Sequence, residues 1–251
     1  MKIAFFDSGM GGLTVLHEAL QQMPYEEYIY FADSNNAPYG IKSSALIEAL
    51  VYEAIDFLDK RPLKALVLAC NTATSVAIKQ LRREYDFPII GMEPAIKPAV
   101  ERSSKKKTLL CATEKTLEEE KLQNLILNLK AESRVVRFSL QELVMYAEHL
   151  AFEDSKVEAY LKEKFRKINW NEFDSMVLGC THFPYFKRMF EKLIPSYIHI
   201  LDGNEGTVRH LKSRIELEDS KRKKSIEYFI SGKKAKSKQF QVYFDYLASV
   251  K

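Results

Sequence analysis

Cysteine is scarce in this sequence: three in 251 residues, at Cys70, Cys111 and Cys180. An odd, sparse set argues against a disulfide scaffold. No Cys-x-x-Cys or His-Cys cluster has zinc spacing, so no metal is expected. No apolar run approaches the ~20 residues of a membrane helix. The opening Met1 to Asp7 is interrupted too soon to read as a secretory signal. A cytoplasmic protein without membrane contact is the expectation. Charge of one sign is also limited, at net +4. Its surplus gathers in Lys221-Arg222-Lys223-Lys224 and Lys233-Lys234, with no nucleic-acid motif beside it. That surplus reads as solvated surface rather than a nucleic-acid site. Lys105-Lys106-Lys107 reads as a loop tip. Neither a Walker loop nor the dinucleotide glycine fingerprint is present.

What is present is an alternation of short apolar runs and longer segments of helical period. Strands are expected at Ile3 to Phe6, Tyr28 to Phe31, the run before Cys70, and Pro88 to Gly91. Helices are expected at Leu13 to Gln22, Ser43 to Asp59 and Thr74 to Tyr85. Leu46, Leu50, Ala54 and Leu58 mark the apolar stripe of the second. After a turn near Ser103-Ser104 the pattern restarts. Strands are expected at Thr108 to Cys111, Arg134 to Phe138 and before Cys180, with a charged helix running through Asn128. Beyond Asp202 a helix, a strand near Ile226 to Phe229 and a final helix follow. Such alternation implies parallel sheets. The restart predicts an α/β fold of two halves of like topology, related by a pseudo-twofold axis.

Two cysteines take matching places in those halves. Cys70 follows Ala65-Leu66-Val67-Leu68-Ala69 and precedes Asn71-Thr72-Ala73-Thr74. Cys180 follows Ser175-Met176-Val177-Leu178-Gly179 and precedes Thr181-His182-Phe183-Pro184. Each thiol is thus placed at the C-terminal end of a parallel strand, the edge where open α/β sheets bind ligands. A free cysteine is most often a small buried hydrophobe. Asn71, Thr72 and Thr74 are poor core residues, however, and a helix N-terminus there suits a carboxylate and activates a thiol. His182 gives Cys180 a proton partner. Cys111 lies inside Thr108 to Ala112 and reads as core. Asp7-Ser8-Gly9-Met10-Gly11-Gly12 puts an acid and a hydroxyl at a strand end; Ser8 reads equally well as a helix cap. Tyr39, in Pro38-Tyr39-Gly40, reads equally as a ligand contact or as loop packing.

Taken in order, these motifs resemble the glutamate racemases of the aspartate/glutamate racemase superfamily. The match is carried by Phe6 to Val15, Asp33 with Pro38-Tyr39-Gly40, Ala69 to Ala73, Gly91 with Glu93-Pro94, and Leu178 to Pro184. Leu201-Asp202 and Ser231-Gly232 are also similar. The resemblance implies two pseudo-symmetric α/β domains with mostly parallel sheets and an active site in the cleft between them. The first domain would be discontinuous, residues 1–94 plus 205–251, and the second would be 95–204. It implies interconversion of L- and D-glutamate without a cofactor, D-glutamate for peptidoglycan, and a homodimer. Cys70 and Cys180 would be the two acid/base residues, assisted by Asp7 and His182. Ser8, Pro38, Tyr39, Gly40, Asn71, Thr72, Thr113, Thr116, Glu148 and Thr181 would join them in holding the substrate. Racemisation of aspartate or another acidic amino acid is the alternative, as is a binding role, since some such racemases inhibit DNA gyrase. A decarboxylase or maleate isomerase activity would also be compatible with the fold.

Three stretches depart from the family pattern. Glu118-Glu119-Glu120 stands where a serine and a tyrosine are usual. Leu143 to Glu148 lacks the usual proline, and Asn35-Asn36-Ala37 replaces an alanine-arginine pair. These changes bear on substrate preference more than on reaction type.

Overall fold

The computed structural model describes residues 1–102, 105–218 and 225–250. The expected turn at Ser103-Ser104 and the basic run Lys221 to Lys224 lie outside them. Two sheets organise the fold. The first contains β1 (Lys2–Asp7), β2 (Tyr28–Ala32), β3 (Leu63–Leu68), β4 (Ile89–Gly91), β9 (Ile226–Ile230) and β10 (Lys233–Lys234). The second contains β5 (Lys107–Ala112), β6 (Val135–Ser139), β7 (Phe173–Leu178) and β8 (His199–Asp202). The chain is thus α/β with parallel sheets, as the alternation indicates; among the described residues β10 alone pairs antiparallel, with β9.

The strand orders β2-β1-β3-β4 and β6-β5-β7-β8 are the same pattern repeated. Even the irregularities match: register shifts at Lys2/Ile3 against β3, and at Lys107/Thr108 against β7. β9 and β10 extend the first sheet beyond β2.

Helices α1 (Leu13–Gln22), α2 (Ser44–Asp59), α3 (Asn71–Glu84), α4 (Ile96–Arg102), α5 (Glu114–Glu118) and α6 (Glu120–Asn128) cross between the strands. They are followed by α7 (Leu143–Glu148), α8 (Ser155–Phe165), α9 (Lys187–Leu193), α10 (Asn204–Lys212) and α11 (Lys238–Ser249). A central core joins Phe5 and Tyr30 of the first sheet to Met176 and Leu178 of the second, while separate cores cover the outer faces. Both strand faces are therefore buried, which is why these strands read as continuous apolar runs.

Several local readings need correction. The buried stripe of α2 is Ile47, Val51, Ala54, Ile55 and Leu58, whereas Leu46 is exposed. A strict four-residue repeat drifts about 40° per step around a 3.6-residue helix, so Leu46 falls off the face. α3 begins three residues earlier than expected because Cys70 caps it. The charged helix breaks into α5 and α6 at Glu119, whose backbone is extended. α4 and the edge strand β8 were not expected. Pro98 is tolerated in α4 because it lies in the first turn, where a backbone N–H has no helical partner.

Candidate active site

Each thiol is set by the end of its strand. After β3, Cys70 takes extended backbone angles and caps α3, its Sγ accepting the Ala73 N–H at 3.4 Å. Its own S–H donates to Ser8 Oγ at 3.5 Å. Ser8 is thus a partner of the thiol, and no side chain caps α1. After β7, Cys180 Sγ lies 3.7 Å from His182 Nδ1. The other ring nitrogen, Nε2, is 2.6 Å from Glu148 Oε1 at the end of α7. That oxygen also accepts the Met10 N–H at 2.6 Å, tying α7 to the loop after β1.

Asp7 is fully buried at the end of β1. One carboxylate oxygen accepts the Gly9 N–H at 2.9 Å, and the other accepts the Thr181 hydroxyl at 3.0 Å. The loop after Asp7 therefore packs directly on the Cys180 segment. Glycine suits the close approach there: a Cβ on Gly11 would run into Thr181 Oγ1 and His182 Nδ1, and one on Gly9 into the Glu148 carboxylate.

Across the same boundary, Thr72 Oγ1 lies 3.2 Å from Thr113 Oγ1 and 3.0 Å from Thr116 Oγ1. Thr113 donates to Thr116 Oγ1 at 2.9 Å and caps α5. Three hydroxyls, one from the first sheet's side and two from the second's, so form a closed set.

One small cleft, of about 10 Å³, is walled by Ser8, Pro38, Tyr39, Gly40, Cys70, Asn71 and Thr72 from one side. Thr113, Val144, Cys180, Thr181 and His182 complete it from the other. Asp7 and Glu148 stand behind this wall, on Thr181 and His182. Thr116 faces a separate cavity of about 240 Å³, between α3 and α6. Val144 was not among the expected residues; an aliphatic side chain carries no chemical signal. Asn71 Oδ1 is buried without a protein partner. Among the described residues no group of three His, Cys, Asp or Glu side chains could hold a metal, and no helix is long and apolar enough to cross a membrane.

The two thiols differ electrostatically. Burial, with the Asp7 charge adding to it, pushes the Cys70 thiol up to about 12. Burial likewise raises Asp7 to about 6, against the lowering effect of His182. For His182, burial acts to lower the pKa, but hydrogen bonds to Cys180 and Glu148 outweigh it and carry the ring well above its usual range. The imidazolium can then donate Nδ1–H to the Cys180 sulfur and Nε2–H to the Glu148 carboxylate.

The architecture defines a duplicated α/β protein with a buried thiol from each sheet in one cleft. Residues 10–211 match the Asp/Glu/Hydantoin racemase family, and the chain belongs to that family of isomerases. It is 48% identical to the glutamate racemase of Halothermothrix orenii over the whole of both chains. Among solved structures, glutamate racemase from Campylobacter jejuni covers 100% of each chain at 27% identity, with a TM-score of 0.84. Escherichia coli glutamate racemase, in complex with L-glutamate and the activator UDP-MurNAc-Ala, is 30% identical, covering 98% of this chain and 95% of that one, with a TM-score of 0.82.

Proposed function

We propose that this protein interconverts L- and D-glutamate by two-base proton transfer between Cys70 and Cys180. The observation that carries the reading is that both thiols line one cleft, each from the end of an equivalent strand. A thiolate on one side removes the α-proton, and the thiol opposite delivers a proton to the other face. The product leaves with its configuration inverted and the thiols with their protonation states exchanged, so either enantiomer is a substrate. Burial beside Asp7 holds Cys70 protonated, while Cys180 lies beside the His182 ring.

The unpartnered Asn71 Oδ1 suits the substrate ammonium. The hydroxyls of Thr72 and Thr113, the peptide N–H groups of Tyr39 and Gly40, and Thr181 suit its carboxylates, with Thr116 supporting Thr72 from behind. Glu148 acts through His182. A space of about 10 Å³ holds no more than one water, so the described state is closed. Substrate entry requires the Thr72 contacts with Thr113 and Thr116 to part. Residues 1–94 plus 205–251 would move as one domain and 95–204 as the other. The pairing of β9 with β2, and the packing of α10 and α11 on α1, support that division. By the resemblance, the protein would work as a cytoplasmic homodimer supplying D-glutamate to peptidoglycan.

Incubation with each enantiomer of glutamate and aspartate in deuterated water, read by chiral chromatography and mass spectrometry, tests this. Inversion of glutamate with deuterium at the α-carbon is expected. Inversion of aspartate alone would move the substrate, and no inversion by folded, reduced protein would sink the reading.

A further inference from the structure

Asp33, just beyond β2, is buried and does not line the cleft, yet it is tied to a residue that does. Its Oδ2 accepts the Tyr39 O–H at 2.7 Å, and its Oδ1 accepts the Ser231 O–H at 2.8 Å. Asn36 Nδ2 reaches both oxygens at 3.1 Å. Ser231 belongs to the turn between β9 and β10, near the far end of the chain, with φ at 42°. That turn is fixed to the end of β2 by two further bonds. Ser231 N–H donates to Ala32 O at 2.8 Å, and Ser231 Oγ accepts the Asn35 N–H at 3.2 Å. Tyr39 is buried beside Cys70 in the cleft wall, its ring packed on Phe6.

We infer that Ser231 and Asp33 are positioning residues for Tyr39. Through the Asp33 carboxylate, the C-terminal hairpin sets the direction of a phenol in the cleft wall. With its proton committed to Asp33, the Tyr39 oxygen offers only lone pairs, which suits an ammonium and not a carboxylate. Ser231 supplies one of the hydrogen bonds that hold the carboxylate in place. Without it, only the Asn36 amide still holds the carboxylate, and the acceptor of the phenol is less firmly fixed.

The activity readout rests on the racemase reading; a second readout does not. Ser231→Gly removes the hydroxyl, and glycine adopts the positive φ without strain. Asparagine also tolerates this conformation and restores a donor, so Ser231→Asn is the rescue. Ser231→Gly is expected to lower kcat/KM for glutamate about tenfold, mostly through KM, as for loss of one bond to a charged group. Ser231→Asn should recover most of it. In a Tyr39→Phe background Ser231→Gly should cost nothing further, because both act through one contact. The same loss in both backgrounds would overturn the inference while leaving the racemase reading intact. Independently of turnover, NMR of protein with ¹³Cζ-labelled tyrosine reports the phenol directly. The resonance missing from Tyr39→Phe should shift in Ser231→Gly; an unmoved resonance would overturn the inference whatever the activity.

Discussion

Cys70 and Cys180 occupy matching ends of matching strands, yet their surroundings differ. Cys70 has a hydroxyl, a helix N–H and the buried Asp7 carboxyl near it. Cys180 has an imidazole backed by Glu148. A duplicated scaffold can therefore place two like groups symmetrically and still give them different partners. The backbone supplies the position, and a few side chains behind the wall supply the difference. Asp7 joins the two sides, since its carboxylate bonds to Thr181 while its charge acts on Cys70.

The most severe test removes the thiols one at a time. Cys70→Ala and Cys180→Ala should each lose racemisation by about 10³-fold or more. Each should still wash deuterium slowly into one glutamate enantiomer, the opposite one in the two variants; exchange into the same enantiomer would break the proposed symmetry.

Asp7→Asn probes the shared acid. Burial lifts Asp7 from 3.8 to about 6, so the native state holds this proton more tightly than the unfolded chain does. The resulting stabilisation is complete below about pH 4 and is lost as pH rises through about 6, a span of roughly 3 kcal/mol. Urea unfolding of Asp7→Asn should lack this slope and be more stable than the parent at pH 7, while its turnover falls. A slope unchanged from the parent would show that Asp7 is not the group responsible.

On the other side, Glu148→Gln should reduce kcat/KM about tenfold, the size expected for losing a charge-assisted bond. Ring NMR should show His182 titrating at lower pH, and an unmoved His182 would uncouple Glu148 from it. The smallest effect is expected at the third thiol. Cys111→Ala should leave turnover within about twofold and cost about 1 kcal/mol in the core. A large loss of activity would bring Cys111 into the comparison.

Much of this frame was legible because buried parallel strands announce themselves. The runs ending at Asp7, Leu68 and Leu178 are apolar on both faces, and the thiols are placed simply by following them. β8 was not legible: its exposed His199 and half-buried residues give an edge strand neither a continuous run nor a clean alternation. The link from Glu148 to His182 is invisible in spacing, since 34 residues separate them and only folding closes the gap. Thr116 reads as the end of the run Ala112 to Thr116 that follows a strand of the second half. Its contact with Thr72 exists only where the two sheets meet. Ser8 shows the same limit, as a short hydroxyl after a strand suits a cap or a thiol partner until Cys70 is placed beside it.

The pairing of β9 with β2 also bears on how the molecule is made. Synthesis runs from the N-terminal side, so β2 emerges with its outer edge bare while some two hundred residues between it and β9 are still to come. The four-stranded second sheet is complete in the chain by Asp202, before that edge is covered. A nascent chain halted between these points carries a wholly buried-type strand, Tyr28–Ala32, paired with β1 on one edge and open to another chain on the other. The closing hairpin is in this sense the step that makes the newborn protein safe among its own copies.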